Sequence, residues 1–225
     1  MSEHPTADRP RGRPAAPVPD SAGISQLASA AAGCHACELA DHATQTVFSK
    51  GSATARVALV GEQPGDVEDQ QGVPFVGPAG QLLTRAIVAA GVEPTDCYVT
   101  TAVKHFRFTQ ASPGKRRIHQ TPDLHHLSAC RPWLLAELAV VDPDVVVLLG
   151  ATAGKALLGP DFTVMRRRGV LIPRAGRGDE PERRSLGWIV ATLHPSAVLR
   201  ADDQDAAYRM LVDDLRLAAS TLALT

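Results

Sequence analysis

Two short runs carry residues whose types and spacing are suited to chemistry. Gly61-Glu62-Gln63-Pro64-Gly65 follows an apolar segment, so Glu62 lies at the carboxyl end of a predicted buried strand. Lys115-Arg116-Arg117-Ile118-His119 places a histidine at the tip of a basic loop. A carboxylate can orient or deprotonate an imidazole, and a neutral imidazole can act as a nucleophile. The two runs together indicate an enzyme that attacks a nucleotide, although the residues alone also allow His119 to be an exposed loop residue or a phosphate contact.

The basic residues are concentrated in one part of the chain. The net charge is −1, so the overall charge says nothing about nucleic acid. Between positions 104 and 131, however, only one acid, Asp123, accompanies the basic residues Lys104, Arg107, Lys115, Arg116, Arg117 and Arg131. Such clustering is typical of a phosphate-binding edge, and a solvated loop is the alternative. A second group, Arg166-Arg167-Arg168 with Arg174 and Arg177, is weaker evidence for the same kind of surface.

The four cysteines suggest a metal centre. Cys34 and Cys37 form a C-x-x-C pair, which in a chain without signs of secretion favours metal or redox chemistry over a structural disulfide. Cys97 opens a predicted core strand and is expected to pack as a small apolar residue. His105 lies just beyond the end of that strand, so the favoured ligands are Cys34, Cys37, His105 and Cys130. Imidazole can ligate iron in iron–sulfur clusters. A zinc ion held by three thiolates and one imidazole is the alternative metal centre. Without a metal, Cys97 and Cys130 can both be plain core residues.

The elements that must position these residues follow from apolar patterning. Residues 1–22 are rich in Pro, Ala and Arg and are predicted to be a disordered tail, and residues 23–225 are predicted to form a single domain. Four short apolar runs are typical of buried parallel strands: Val57–Val60, Tyr98–Thr100, Val145–Leu149 and Trp188–Ala191. The predicted helices are Gln26–Ala32, Gly80–Ala90, Leu124–Val140, Thr152–Leu158 and Asp205–Ala219. This alternation predicts an α/β fold, a three-layer α/β/α sandwich with a central, short, mainly parallel four-stranded sheet.

In such a sheet the functional site lies outside the carboxyl ends of the strands. The segments at those ends begin at Glu62, at Lys104-His105, at Gly150-Ala151 and at His194-Pro195-Ser196. The sequence therefore predicts that Glu62 and His194 share one site.

The sequence contains no candidate membrane-spanning helix. Hydrophobic residues make up 44% of the 225 residues, and no apolar run approaches the roughly 20 residues that cross a bilayer. The polar, proline-rich amino terminus shows no signal peptide, so a cytoplasmic location is expected. A monomer is expected as well.

Three separated motifs resemble the uracil-DNA glycosylase superfamily. They are Gly61-Glu62-Gln63-Pro64-Gly65-Asp66, the run from Gln71 to Gly80 that contains Pro74-Phe75-Val76-Gly77, and His194-Pro195-Ser196-Ala197-Val198-Leu199-Arg200. The C-x-x-C pair and Cys130 look like the iron–sulfur branches, and Lys115–His119 resembles the X-type branch. The resemblance implies a [4Fe-4S] cluster, with His105 in the place of a third cysteine.

The resemblance also implies roles in excision of a base that has left the DNA stack. Phe75 would stack on the base, and Gln63 would hydrogen-bond it through backbone and side-chain groups. Asp66 would shape the motif loop at the substrate, with an exposed acid as the alternative. His194 would donate to a uracil carbonyl oxygen and stabilise the leaving anion. The chain departs from the family at Thr101, where an asparagine normally hydrogen-bonds the uracil edge, so uracil selectivity is open.

A further set of residues is implied to contact DNA. Lys115, Arg116, Arg117 and Arg200 are candidates for phosphate contacts, although the three loop residues can instead hold their loop in place. Ser196 belongs to the same edge, and Val198 or Leu199 is a candidate wedge into the vacated stack, because apolar side chains can insert between bases.

The X-type branch is known for a loop histidine that becomes attached to the sugar, which here implies a stable adduct between His119 and C1′, with Glu62 orienting the imidazole. The expected partner is uracil-containing DNA, with single strands preferred because flipping is easier there. Two alternatives remain: a hydrolytic glycosylase in which Glu62 positions water, and a DNA-binding module whose excision is altered or lost because of Thr101.

Overall fold

The computed structural model describes residues 17–112, 114–174 and 187–222. Its elements in chain order are α1 (Ile24–Ala31), β1 (Ser49–Lys50), β2 (Val57–Gly61), α2 (Asp66–Gln71), α3 (Pro78–Ala89), β3 (Cys97–Thr101), β4 (Phe108–Thr109), β5 (Ile118–His119), α4 (Leu124–Val141), β6 (Val145–Leu149), α5 (Gly150–Leu158), α6 (Val164–Arg167), β7 (Leu171–Arg174), β8 (Gly187–Thr192), α7 (Pro195–Val198) and α8 (Gln204–Thr221). Residues 1–16 of the tail and Arg177 lie outside the described residues.

The central sheet has six strands in the order β1-β3-β2-β6-β8-β7. The four predicted strands form its parallel centre, β3-β2-β6-β8, which confirms the α/β prediction. The predicted number of four strands was wrong, because β1 and β7 add antiparallel edges. Neither edge strand carries a buried apolar run: β1 is only Ser49-Lys50, and β7 contains Pro173 and Arg174. Edge strands need burial on fewer sides, so their sequences carry little hydrophobic signal.

Successive residues of each parallel strand enter opposite layers of the fold. Leu148 of β6 packs in a cluster with Leu134 of α4, whereas its neighbour Leu149 packs with Leu83 of α3 and Leu211 of α8. All five residues of β6 are buried, as a strand covered on both faces requires. The helices thus form one layer from α4 and α5 and a second layer from α3 and α8, with the sheet between them.

The order of the strands places a crevice at the centre of the sheet. β2 is paired with β3 on one side and with β6 on the other, so the chain passes to opposite sides of β2 in successive crossovers. Such a reversal separates the connections that leave the two strands, and ligands bind in the opening outside their carboxyl ends. Glu62 follows β2 and Gly150 follows β6, so both lie at this opening.

A buried ion pair lies directly beneath the end of β3. The ammonium of Lys104, with 1% of the residue exposed, donates to the carboxylate of Glu137 in α4, to Thr100 Oγ1 at 2.6 Å and to the Thr101 carbonyl at 2.8 Å. The hydroxyl of Tyr98 donates to Glu137 Oε1 at 2.8 Å. Burial raises the pKa of Glu137, and the ammonium and hydroxyl donors oppose this rise. The network joins the last residues of β3 to α4 and uses all three protons of Lys104.

No helix among the described residues combines the length and apolar character that crossing a membrane would demand.

The buried pair predicts a large loss of stability when one partner is removed. Lys104→Met leaves the Glu137 carboxylate buried without its cation, and we expect the free energy of unfolding to fall by about 3–5 kcal/mol. Denaturant-induced unfolding followed by circular dichroism measures the change. The double variant Lys104→Met with Glu137→Gln removes the unpaired charge, so it should lose less than the sum of the two single losses. A loss of under about 1 kcal/mol for Lys104→Met would contradict the assigned role of the pair.

Candidate active site

Glu62 connects the two strands that border the central crevice. Its carboxylate accepts a hydrogen bond from the hydroxyl of Thr152, in the first turn of α5, and its Oε1 lies 3.1 Å from His119 Nε2. The structure therefore brings together the carboxylate and the histidine that the sequence singled out. Thr152 was missed at the sequence level, although its position three residues after the end of β6 marks it as a strand-end polar group.

The surroundings of Glu62 favour its ionised form. Burial alone raises its pKa, but hydrogen bonds from His119 and Thr152, together with electrostatic attraction to the two nearby imidazoles, outweigh burial, so the pKa is lowered. The carboxylate is thus a fixed negative charge at the mouth of the crevice.

His194 is held as a neutral hydrogen-bond donor. It caps α7, and its Nδ1 accepts from the backbone N–H of Ser196 at 3.2 Å. Because Nδ1 is the acceptor, the single proton of the neutral ring is assigned to Nε2. Burial lowers the pKa of His194 to about 4, with Glu62 opposing this shift and His119 and Arg200 reinforcing it. Near neutral pH, Nε2 therefore presents an N–H without a positive charge.

Phe75 lies beside His194. Its ring centroid lies 6.0 Å from that of His194, at an interplanar angle of 33°. Its backbone φ is 54°, a left-handed value that is uncommon for a bulky residue and persists where the surroundings enforce it. A Cβ on Gly61 would lie 2.5 Å from the ring, and a Cβ on Gly80 would lie 2.0 Å from the Phe75 carbonyl oxygen. The two glycines therefore allow the close approach that places this ring.

Glu68 supports the Phe75 loop and was also missed at the sequence level. Its Oε1 accepts from the backbone N–H groups of Val76 at 3.1 Å and Gly77 at 2.9 Å, and its Oε2 accepts from that of Gly65 at 3.1 Å. One carboxylate thus ties the start of α2 to the loop that carries the aromatic ring. A glutamate in the first turn of a helix is usually read as a favourable charge at the helix dipole, which hides this second role.

Gln63 holds the loop that carries His119. Its amide donates to the carbonyls of Arg107 at 3.2 Å and Gln120 at 3.0 Å, and its Oε1 accepts from the Arg107 N–H at 2.9 Å. Both amide protons are therefore used by the loop, and a hydrogen bond from Gln63 to the base stays a prediction that concerns its backbone groups and the second lone pair of Oε1.

Arg117 is the second anchor of the loop. Its guanidinium donates to the carboxylate of Asp66 and, at 2.6 Å, to Asp69 Oδ2, and it lies 4.9 Å from the ring centroid of Phe108. Burial lowers the pKa of Arg117, but both acids raise it by more. Asp69 is fully buried and also accepts from the Thr44 N–H at 3.0 Å. Arg117 and Asp66 are thus placed in a structural contact, which agrees with the alternative that the loop arginines hold their loop.

Thr101 lies at the end of β3, opposite Gly61, with 1% of the residue exposed. Its hydroxyl donates to the Val103 carbonyl at 2.9 Å. Its methyl carbon lies 3.5 Å from the position that a Cβ on Gly61 would take, beside the Phe75 ring.

The remaining candidates differ in exposure. Lys115, Arg116 and Arg200 are exposed, and Leu199 is partly exposed. Val198 has 1% of its surface exposed and packs in the core with α3 and α8, so the wedge expected at Val198 or Leu199 is restricted to Leu199. The hydroxyl of Ser196 lies 2.8 Å from His194 Nδ1.

Three of the cysteines lie near one another. Burial raises the pKa of Cys130 to about 12, and the charges of Cys37 and Cys34 raise it further, while the backbone of Lys104 hydrogen-bonds to the thiol. Burial likewise raises the pKa of Cys37, and Cys34 adds to the rise. Cys97 lies instead in the core with α3 and α8, and its Sγ contacts the Glu93 carbonyl at 3.7 Å. The described residues contain no group of three His, Cys, Asp or Glu side chains that converges on a single metal ion.

His105 is buried and directly follows Lys104, whose backbone hydrogen-bonds to Cys130. The hydroxyl of Thr46 donates to the Ala31 carbonyl at 3.1 Å and lies 2.9 Å from His105 Nε2. Since the hydroxyl proton is used, Nε2 carries the ring proton and Nδ1 keeps its lone pair. Burial lowers the pKa of His105 to about 4, so the ring is a neutral potential ligand.

The structure brings together Glu62, His119 and His194 from three of the sequence motifs. A comparison with known families shows to which family the chain belongs. The sequence model of the Uracil DNA glycosylase superfamily matches residues 48–216 of the chain. The chain belongs to this superfamily. The matched region includes Glu62, Phe75, Thr101, His119 and His194.

Individual relatives support the assignment. The chain is similar to a Type-4 uracil-DNA glycosylase of Thermotoga maritima, with 34% identity over 188 residues, which covers 83% of this chain and 88% of that protein. A Type-4 uracil-DNA glycosylase of Pyrobaculum aerophilum is 35% identical over 170 residues, or 74% of this chain and 80% of its own length. The chain is also similar to part of a DNA polymerase of Bacillus phage SP01, with 29% identity over 174 residues. The match covers 77% of this chain and 16% of that protein.

The Arg117 contact predicts a loop that opens when the guanidinium is removed. In Arg117→Gln, Asp69 loses its cationic partner, and we expect the amide protons of Arg107 and Gln120 to exchange with solvent about tenfold faster or more. Hydrogen exchange followed by mass spectrometry measures this. The exposed neighbour supplies a matched control, because Arg116→Gln should leave exchange in the loop unchanged. Equal protection in Arg117→Gln and in the unaltered protein would show that the contact does not hold the loop.

Proposed function

We propose that this chain excises uracil from DNA and that His119 then binds covalently to C1′ of the abasic sugar, as in the X-type branch. The observation that carries the proposal is the 3.1 Å contact between Glu62 Oε1 and His119 Nε2 beside the pocket of Phe75 and His194. The Type-4 names of the relatives support uracil excision, and the His119 contact supports the capture step.

The first step is entry of the extruded base into the pocket. Phe75 stacks on one face of the ring, and His194 Nε2–H faces the edge that carries a carbonyl oxygen. Because His194 is neutral, it donates a hydrogen bond without moving a proton to the base, and its contribution grows as the oxygen becomes negative.

Cleavage then separates charge. The C1′–N1 bond breaks with both electrons passing to uracil, which leaves as an anion, while the sugar becomes an oxocarbenium ion. The Glu62 carboxylate, whose lowered pKa keeps it ionised, stabilises the cation, and His194 stabilises the anion. These interactions are stronger in the transition state than with bound substrate, as catalysis requires.

Capture of the sugar completes the reaction. The unprotonated nitrogen of His119 attacks C1′, so a C–N bond forms and the ring becomes an imidazolium. Its remaining N–H points to Glu62, which stabilises the positive charge and accepts the proton when it is lost. The uracil anion takes up a proton from solvent. Because the adduct is not readily displaced by water, each molecule acts once.

The DNA strand is proposed to cross the edge formed by Lys115, Arg116 and Arg200, whose exposed charges suit phosphate contacts. Leu199 is the candidate wedge. Single-stranded DNA is the proposed preferred substrate, since no base pair then opposes extrusion of the base. The proposed binding form of the protein is a monomer.

We propose further that Cys34, Cys37, His105 and Cys130 hold a [4Fe-4S] cluster. The donor types suit such a cluster: Cys34, Cys37 and Cys130 are buried thiols, and His105 is a buried imidazole whose Nδ1 keeps its lone pair. The resemblance to the iron–sulfur branches, and not the geometry of the described residues, supports the cluster over zinc. When bound, the cluster supplies a structural link between the segment after α1 and α4.

A denaturing gel tests the capture step. After incubation with a single-stranded oligonucleotide that contains uracil, we expect a slow band that survives boiling, because the C–N bond is covalent. The band should be absent with a thymine control and with His119→Ala. His125→Ala removes another exposed histidine and should retain the band.

The same samples distinguish the alternatives. DNA that is cleaved by alkali without any slow band would indicate hydrolytic turnover, with Glu62 positioning water. DNA that stays intact under both assays would indicate a binding module without excision, and a band in His119→Ala would contradict the assigned nucleophile.

Iron analysis tests the cluster. Protein purified without oxygen should be brown and contain about four irons per chain. Cys37→Ser should lose the iron and the visible absorbance, whereas Cys97→Ser should retain both, because Cys97 packs in the opposite core layer. A stoichiometric zinc content with no visible colour would overturn the cluster assignment.

A further inference from the structure

The aromatic ring of the candidate site is attached to a backbone conformation that Phe75 does not favour by itself. Its φ of 54° is left-handed, a region that bulky residues rarely adopt unless their surroundings enforce it. The ring nevertheless lies 6.0 Å from that of His194, centroid to centroid. Because the direction of a side chain follows from its backbone, the groups that hold this peptide also decide where the ring lies.

Lys50 holds the Phe75 peptide from the edge of the sheet. Its Nζ donates to the Phe75 carbonyl oxygen at 3.1 Å. The same oxygen lies close to the backbone of α3, since a Cβ on Gly80 would be 2.0 Å from it. The carbonyl is therefore fixed between a charged donor and a helix, and hydrogen bonds from charged donors are the stronger ones.

The register of β1 turns Lys50 to the side of the sheet on which Phe75 lies. Lys50 pairs with Val99 of β3, and residues directly opposite in an antiparallel pair share one face. Val99 belongs to the core cluster against which Phe75 packs. A shift of one residue would turn Lys50 to the other face, so the pairing of β1 with β3 brings the ammonium to the Phe75 loop.

Glu68 binds the other end of the same peptide group. Its Oε1 accepts from the N–H of Val76, which shares a peptide group with the Phe75 carbonyl, and from the N–H of Gly77. Burial lowers the pKa of Lys50, and the negative charge of Glu68 opposes this shift, so the two charges attract each other. The cation thus binds the negative end of the peptide dipole and the anion binds its positive end, and a turn of the peptide plane would break both contacts.

We propose that Lys50 is a positioning residue for base excision: it fixes the Phe75–Val76 peptide group and, through it, the ring that stacks on the extruded base. The inference rests on the proposed excision activity and adds a residue that lies outside the motifs of the site. It also gives β1 a role in the site, since this edge strand presents the ammonium.

A double-mutant cycle tests whether Lys50 acts through the ring. Uracil release from a single-stranded oligonucleotide is measured in single-turnover reactions, below saturation, for the unaltered protein, Lys50→Met, Phe75→Ala and the double variant. Lys50→Met keeps the length of the side chain and removes the donor, so release should slow by about tenfold, the size of a lost base–aromatic stack. In the Phe75→Ala background the same change should slow release by less than about twofold, because the ring is already absent.

Three controls separate positioning from other roles of a lysine. Lys50→Arg keeps a cationic donor and should restore release to within about threefold of the unaltered protein. Lys155→Met removes an exposed lysine of α5 and should leave release unchanged. The slope of the logarithm of DNA affinity against the logarithm of salt concentration should be equal for Lys50→Met and the unaltered protein, because no phosphate contact is lost.

The outcomes distinguish this inference from the function on which it rests. Uracil release that slows equally in both backgrounds, or not at all, would overturn the role of Lys50 and leave excision standing. A salt slope reduced by about one in Lys50→Met would assign the ammonium to a DNA phosphate, with the same consequence. If Lys50→Met does not fold, Lys50→Gln, whose shorter side chain lacks the cationic donor, is read in the same cycle. Failure of the unaltered protein to release uracil would overturn the proposed excision, and the inference with it.

Discussion

The ion pair between Arg117 and the buried carboxylate of Asp69 determines where the candidate nucleophile lies. His119 belongs to a hairpin of two residues per strand, which is too short to be stable by itself. Arg117, two residues earlier, is fixed by Asp66 and Asp69 from α2, and the Gln63 amide fixes both ends of the hairpin. Because these partners follow β2, the loop is attached to the strand that carries Glu62. The contact of Glu62 with His119 is therefore a consequence of polar contacts that lie outside the pocket.

At the candidate site, burial shifts the pKa values of Glu62 and His194 in opposite directions, upward for the carboxyl group and downward for the imidazole. Burial opposes ionisation of both Glu62 and His194, but only Glu62 receives enough hydrogen bonds to remain charged. The result is one anion and one neutral donor side by side. Such a pair matches the charge separation of N-glycosidic cleavage, in which the sugar becomes positive and the base negative. Thr152 contributes from across the crevice, so the site depends on the position where the strand order reverses.

A second polar system connects the end of β3 to the cysteines. Lys104 donates to the carbonyl of Thr101, pairs with Glu137 in α4, and hydrogen-bonds through its backbone to Cys130. The four-residue segment from Thr101 to Lys104 therefore contributes to the end of β3, to the core ion pair and to the surroundings of the proposed cluster. Its buried polar groups have specific partners, and such networks stabilise one arrangement only when they are fully satisfied.

The sequence by itself determined the parallel centre of the sheet, the helical layers and the edge at which Glu62 and His194 meet, because apolar periodicity is a local property of the chain. It also indicated His119, through a basic loop and a family resemblance. It did not indicate β1 and β7, whose edge positions require no apolar run, or the supporting roles of Glu68 and Thr152. Only the tertiary structure decided which polar groups are already used: Gln63 by the loop, Arg117 by two acids, and the Thr101 proton by a carbonyl. The physical reason is that a hydrogen bond depends on the distance between groups, and most of these partners come from distant parts of the chain.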